Sequence, residues 1–116
     1  MTNKVLVCGG REFDDWCSHK RKLDQIHEEF GIGQIIEGGA IGADFLARVW
    51  AKAHNVDFVE YQADWKTHGR AAGPIRNQQM LEEGKPDLVV AFPGGRGTAD
   101  MVRKAHDAGV RTIQAT

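Results

Sequence analysis

Three short apolar runs in this chain stop at paired glycines, and that repetition constrains the fold more than any other feature. The runs are Lys4-Val5-Leu6-Val7-Cys8 before Gly9-Gly10, Gln34-Ile35-Ile36-Glu37 before Gly38-Gly39, and Leu88-Val89-Val90-Ala91-Phe92 before Pro93-Gly94-Gly95. Strands buried on both faces of a parallel sheet require such continuous Val/Leu/Ile-type runs. Glycine at the end of each lets the chain turn at once into the next element.

The stretches between the runs read as helices. From an N-cap at Asp14, the residues Trp16, Leu23, Ile26, His27 and Phe30 form an amphipathic stripe ended by Gly31 and Gly33. Phe45, Leu46, Val49, Trp50 and Ala53 mark a second helix, closed at His54-Asn55. Asp57-Phe58-Val59-Glu60-Tyr61 alternates as a third strand, and Gln62 through Gly73 is the one long connection, of a length that suits a lid. Gly73-Pro74 opens a third helix with Ile75, Met80 and Leu81 as its buried face, closed by Gly84. The last helix spans Thr98 to Ala108, and Arg111 to Ala115 is a fifth strand.

Strands alternating with helices imply parallel pairing through right-handed crossovers. The expected fold is α/β, a three-layer parallel sheet of about five strands in the order 3-2-1-4-5 with helices on both faces. The order reverses between strands 1 and 4, and open sheets bind ligands at the carboxyl ends of the strands beside such a reversal. All three glycine turns fall on that edge.

Composition narrows the partners. The 116 residues make one domain, 1–116, with 15 Lys+Arg against 16 Asp+Glu, so a nucleic-acid role is disfavoured. No apolar run reaches membrane-spanning length, and Met1-Thr2-Asn3-Lys4 leads straight into a strand, so a cytoplasmic protein without membrane contact is expected. Cys8 and Cys17 read as free thiols, and the five histidines lack ligand spacing, so neither a metal nor a required cofactor is expected. A small α/β domain with edge strands is expected to form a homo-oligomer.

Backbone amides and helix N-termini gathered at one crevice suit phosphate. The strict G-x-G-x-x-G and G-x-x-x-x-G-K-[ST] loops are missing, which removes the standard dinucleotide and ATPase fingerprints. Gly9, Gly10, Gly38, Gly39, Ala40, Gly94, Gly95 and Gly97 are the expected backbone contacts, unless the glycines serve only tight turns. Arg11 and Arg76 are the preferred phosphate ligands, Arg70 and Arg96 weaker ones, because a guanidinium fork binds phosphate bidentately. Thr98 offers a hydroxyl to phosphate or a cap to its own helix, and Asn77 is a polar group without structural duty. Asp44 is read as a ribose contact and Asp100 as a carboxylate placed for the helix dipole. Phe13 and Trp65 are loop aromatics suited to stack on a base, whereas Trp50 lies on the core stripe.

Gly9-Gly10-Arg11-x-Phe13, Gly38-Gly39-Ala40-x-Gly42-Ala43-Asp44, Ala63-Asp64-Trp65, Ala72-Gly73-Pro74-x-Arg76-Asn77 with Met80, and Pro93-Gly94-Gly95-x-Gly97-Thr98 together resemble the YspA-type branch of the SLOG superfamily. The resemblance spans nearly the whole chain. It implies a Rossmann-like fold and a nucleotide-derived ligand such as a nucleotide, an ADP-ribose-type molecule or a cyclic-nucleotide signal. It places Gly94, Gly95, Gly97 and Thr98 on a phosphate, with Gly39 and Asp44 lining the same pocket and Arg76 and Asn77 facing it; Pro93, which opens that loop, is a candidate ligand contact with them. LOG-type phosphoribohydrolases of this superfamily carry a glutamate three positions after the motif threonine, where this chain has Met101. Two readings follow: a sensor, carrier or sequestering protein, or an N-glycosidic hydrolase in which Asp44 or Asp100 takes the carboxylate's part.

Overall fold

The computed structural model describes residues 3–115. The expectation drawn from Met1-Thr2 lies outside them. Five strands, β1 (Asn3–Cys8), β2 (Ile32–Glu37), β3 (Asp57–Glu60), β4 (Leu88–Ala91) and β5 (Arg111–Gln114), form one sheet in the order β3-β2-β1-β4-β5, every neighbouring pair parallel. The expected class and strand order are therefore both observed. Helices α1 (Trp16–Phe30) and α2 (Ala43–Ala53) follow β1 and β2; α3 (Trp65–His68), α4 (Ala72–Gly84) and α5 (Arg96–Asp107) follow later.

Successive strand residues point to opposite faces, so the apolar runs feed two cores. On one face Val5, Val7, Ile35 and Val90 meet Leu23 and Ile26 of α1 and Ala47 and Trp50 of α2. On the other, Leu6, Ile36, Val89 and Ala91 meet Met80 and Leu81 of α4 and Met101 and Ala105 of α5. Each large aliphatic side chain buried this way contributes about 1.5–3 kcal/mol. Trp50 is fully buried, its indole donating to Asp24 Oδ1 at 2.8 Å.

Several local expectations are corrected. The cap of α1 is Asp15, which accepts from the Ser18 amide at 3.1 Å, because Asp14 stands one residue too early for that reach. His19, absent from the expected stripe, is fully buried, while Phe30 at the helix end is exposed. In α2 the buried side is Ala43, Asp44, Ala47, Trp50 and Ala51, and Phe45 is rotated outward. β2 begins earlier, at Ile32, and runs through Gly33. β3 and β5 each end one residue sooner than expected.

The 62–73 connection is no open loop. Asp64 caps α3 by accepting from the Thr67 amide at 3.1 Å, and a single 3-10 turn, Gly69–Ala71, hands the chain to α4. Pro74 is therefore the third helical residue, and Ile75 is exposed. Helix α5 starts at Arg96, two residues before Thr98, with Gly95 as its cap.

Candidate ligand-binding cleft

The carboxyl ends of β1 and β2, the first turn of α2 and the N-terminal turns of α4 and α5 enclose a cleft of about 700 Å³. Of the residues singled out in the sequence, Gly9, Gly10, Arg11, Gly38, Gly39, Ala40, Asp44, Trp65, Arg70, Arg76, Asn77, Gly95, Arg96, Gly97, Thr98 and Asp100 line it. Phe13, Pro93 and Gly94 do not. The Phe13 ring packs against Phe92 at 5.2 Å and His19 at 6.0 Å, so its apolar area is spent on the core, not on a base platform. Pro93 and Gly94 instead border a neighbouring groove between α5 and β5.

The glycines divide into two kinds. Gly42, at φ 82°, and Gly94 allow backbones to touch: a Cβ on Gly42 would stand 2.2 Å from the Gly10 carbonyl oxygen, and one on Gly94 would stand 2.6 Å from the Gly10 nitrogen. The Gly10 amide donates to Pro93 O at 2.8 Å, and Gly10 O accepts from the Ala43 amide at 3.2 Å. This knot joins the three turns. Gly95 and Gly97, by contrast, have no atom within 4 Å of where a Cβ would sit. They hold space open on the cleft.

Amide availability follows the same division. In the turn after β2, the Gly38 and Ala40 amides donate to Asp44 Oδ2 at 3.2 and 3.3 Å, and the Gly39 amide donates to Glu37 Oε1 at 2.7 Å. The protein's own carboxylates therefore occupy the anion-binding positions of that turn. At α5 the situation is reversed: among the described residues the amides of Arg96, Gly97 and Thr98 have no acceptor, and no side chain caps the helix. Thr98 lies inside the first turn, its hydroxyl over Gly94. The positive end of the helix dipole is exposed there.

Charged side chains add to this polarity. Arg11, Arg70 and Arg96 are exposed and form no ion pair among the described residues. Arg76 is half-buried and largely committed, donating from Nη1 to Gly38 O at 2.6 Å and from Nε to Asn77 Oδ1 at 3.1 Å. Asn77 does have a structural duty: its amide donates to Gly97 O at 3.1 Å and Asp100 Oδ2 at 3.0 Å, fastening α4 to α5. Asp100 is further paired with Arg103 at 2.7 Å and Lys104 at 2.8 Å. Burial works against its ionisation, but the hydrogen bonds from Lys104 and Asn77 prevail and hold its carboxyl below the usual range.

Asp44 is nearly buried, and burial pushes its pKa up to about 6 against the opposing pull of the Ala40 amide and Arg76. Its second oxygen, Oδ1, has no hydrogen-bond partner among the described residues, and Asp44 lines the cleft. The sequence reading missed Glu37, a fully buried carboxyl beneath the same turn. The available signal was a glutamate directly after Ile35-Ile36, at the last position of a strand expected to be buried. Trp65 lies over Gly73, its Cη2 3.4 Å from where a Cβ of that glycine would be, and remains half exposed at the cleft mouth. Among the described residues no cluster of three or more His, Cys, Asp or Glu is arranged to hold a metal ion, and no helix is long and apolar enough to cross a membrane.

These features define a small Rossmann-like α/β domain with a glycine-lined crevice at its switch point. The family model of the YspA, cpYpsA-related SLOG family matches residues 3–68. Gene 61 protein of Mycobacterium phage D29 is 37% identical over 119 aligned positions, covering 95% of this chain and 94% of that protein. The chain belongs to the YspA, cpYpsA-related SLOG family, and that membership points to a nucleotide-related function.

Proposed function

We propose that the cleft binds a nucleotide-derived small molecule, a nucleotide, ADP-ribose-type or cyclic-nucleotide signal, and that the protein senses, carries or sequesters it. The observation that carries this reading is the N-terminus of α5, where three amides without an acceptor among the described residues and the two unobstructed glycines Gly95 and Gly97 border a cleft of about 700 Å³. A phosphate seated there meets the helix dipole, with Arg11 and Arg96 on the rim to make charge-assisted hydrogen bonds. Asp44 Oδ1 then offers an acceptor to ribose hydroxyls, and Trp65 a face for a base. No required cofactor enters this reading. Exposed Ile41, Phe45 and Ile75 support self-association of the domain.

Mass spectrometry of the natively purified, then denatured, protein tests the reading. A nucleotide released in near-stoichiometric amount is expected from a tight binder; absence of any released nucleotide together with no binding to added AMP, NAD, ADP-ribose or cyclic AMP in calorimetry refutes it.

The hydrolase reading keeps one supporting observation. A carboxyl held near pKa 6 beside a cleft is placed for acid–base work. Against it, Met101, at the position of the LOG-type glutamate, is fully buried in the core, and Asp100 is tied to Asn77, Arg103 and Lys104. Free base released from a nucleoside monophosphate or NAD, and abolished by Asp44→Asn, would overturn the pure binder.

A further inference from the structure

Glu37 is paired in register with Glu60 of β3, so their side chains leave the same face of the sheet as neighbours. Glu37 is fully buried, and only one of its oxygens is satisfied: Oε1 accepts the Gly39 amide, while Oε2 has no donor. The groups around it are Glu60 from β3, Asp44 and Arg48 from α2, and Arg76 of α4, which reaches Gly38. Arg48 is already spent on Glu60, whose other oxygen accepts from Gln62 at 2.6 Å. With Glu37, Asp44 and Glu60 all ionised, three carboxylates would face two guanidiniums around one turn. A proton on Glu37 removes the excess charge and converts the orphan oxygen into a donor, with Glu60 as its acceptor.

We propose that Glu37 is a positioning residue that holds a proton on the acid side of neutrality and hydrogen-bonds through it to Glu60, and that this acid–carboxylate pair locks the Gly38–Gly39–Ala40 wall of the cleft. Burial is the main cause, with Asp44 and Glu60 adding to it, and together they push the Glu37 carboxyl up to about 7. Above that pH the proton leaves to solvent, Glu37 and Glu60 repel, and the turn that carries Gly39 shifts. The lock itself does not depend on the nucleotide reading; its effect on ligand uptake rests on that reading.

The test uses the ligand-free, nitrogen-15-labelled chain, so its failure is distinct from a failure to bind nucleotides. Amide resonances of Gly38, Gly39 and Ala40 are followed from acid to alkaline pH. A step with its midpoint near 7 is expected at Gly39. Glu37→Gln, whose side-chain amide donates to Glu60 as the protonated acid does, is expected to fold and to lose that step. Glu60→Gln is expected to move the step to lower pH, because the negative neighbour is gone. A Gly39 resonance that is flat through neutrality, or a step that survives in Glu37→Gln, overturns the proposal. Should Glu37→Gln not fold, the wild-type step and its movement in Glu60→Gln decide the matter, and an unmoved step refutes it.

Discussion

Alanine placed at Gly42 and at Gly97 separates glycines that build the fold from glycines that keep the cleft open. At Gly42 the backbone sits at φ 82°, which costs a residue with a Cβ about 1–2 kcal/mol. The new methyl would also stand 2.2 Å from Gly10 O and 2.6 Å from Arg11 O. Both are backbone atoms, and Gly10 O is held in the knot between turns, so overpacking adds about 1–3 kcal/mol. Together these give about 2–5 kcal/mol, and a domain of this size loses about 4 °C of Tm per kcal/mol, so a fall of about 8–20 °C is expected. Gly97→Ala meets no atom within 4 Å and replaces glycine by the best helix former, worth up to about 1 kcal/mol. Its Tm is expected to match or slightly exceed the wild type, while affinity for a nucleotide probe falls because the methyl intrudes where a phosphate approaches the amides. Thermal unfolding by circular dichroism with calorimetry on the same samples reads both effects. A Gly42→Ala protein melting within a few degrees of wild type, or a Gly97→Ala protein losing as much stability, would refute the division.

Burial pushes the neutral His19 down to about 4, while its ring donates to Ala43 O at 3.0 Å. Between its ordinary value of 6.5 and that lowered one, the unfolded chain takes up a proton that the folded chain refuses, so stability falls as pH falls, by up to about 3 kcal/mol. Glu37 and Asp44, with raised values, act in the opposite sense and lose stability as pH rises, so the effect is read as the difference between His19→Gln and wild type at each pH. Denaturant midpoints that run parallel from pH 7 to 4 would contradict this. Self-association predicts a sedimentation mass above one chain; a mass of 12.8 kDa at micromolar concentration would exclude it.

Parallel pairing was legible because it follows from connectivity: every apolar run is separated from the next by a helix, and parallel pairing with crossovers accommodates that, while the order 3-2-1-4-5 was expected as a common arrangement of such sheets. The cleft lining was legible for the same reason, since glycine turns at strand ends must share one edge. Errors arose where a side chain's direction depends on a few degrees of helix rotation. Phe45 and Ile75 are apolar yet exposed, and His19 is polar yet buried, because the sheet accepts one stripe of each helix and that stripe is set by the entering turn. Phe13 follows the same logic, drawn inward by Phe92.

By itself the sequence determined the class, the parallel pairing of the strands, and the edge where a ligand can meet backbone amides, because these depend on residue type and spacing along the chain. Only the tertiary structure decided which of the glycine turns has amides to spare. That depends on carboxylates and carbonyls brought together from different elements: Asp44 and Glu37 fill the turn after β2, the Gly10 amide is consumed in joining its neighbours, and among the described residues the amides of Arg96, Gly97 and Thr98 at the start of α5 are left unpaired. Hydrogen-bond satisfaction is a sum over neighbours in space, and a linear spacing does not contain it.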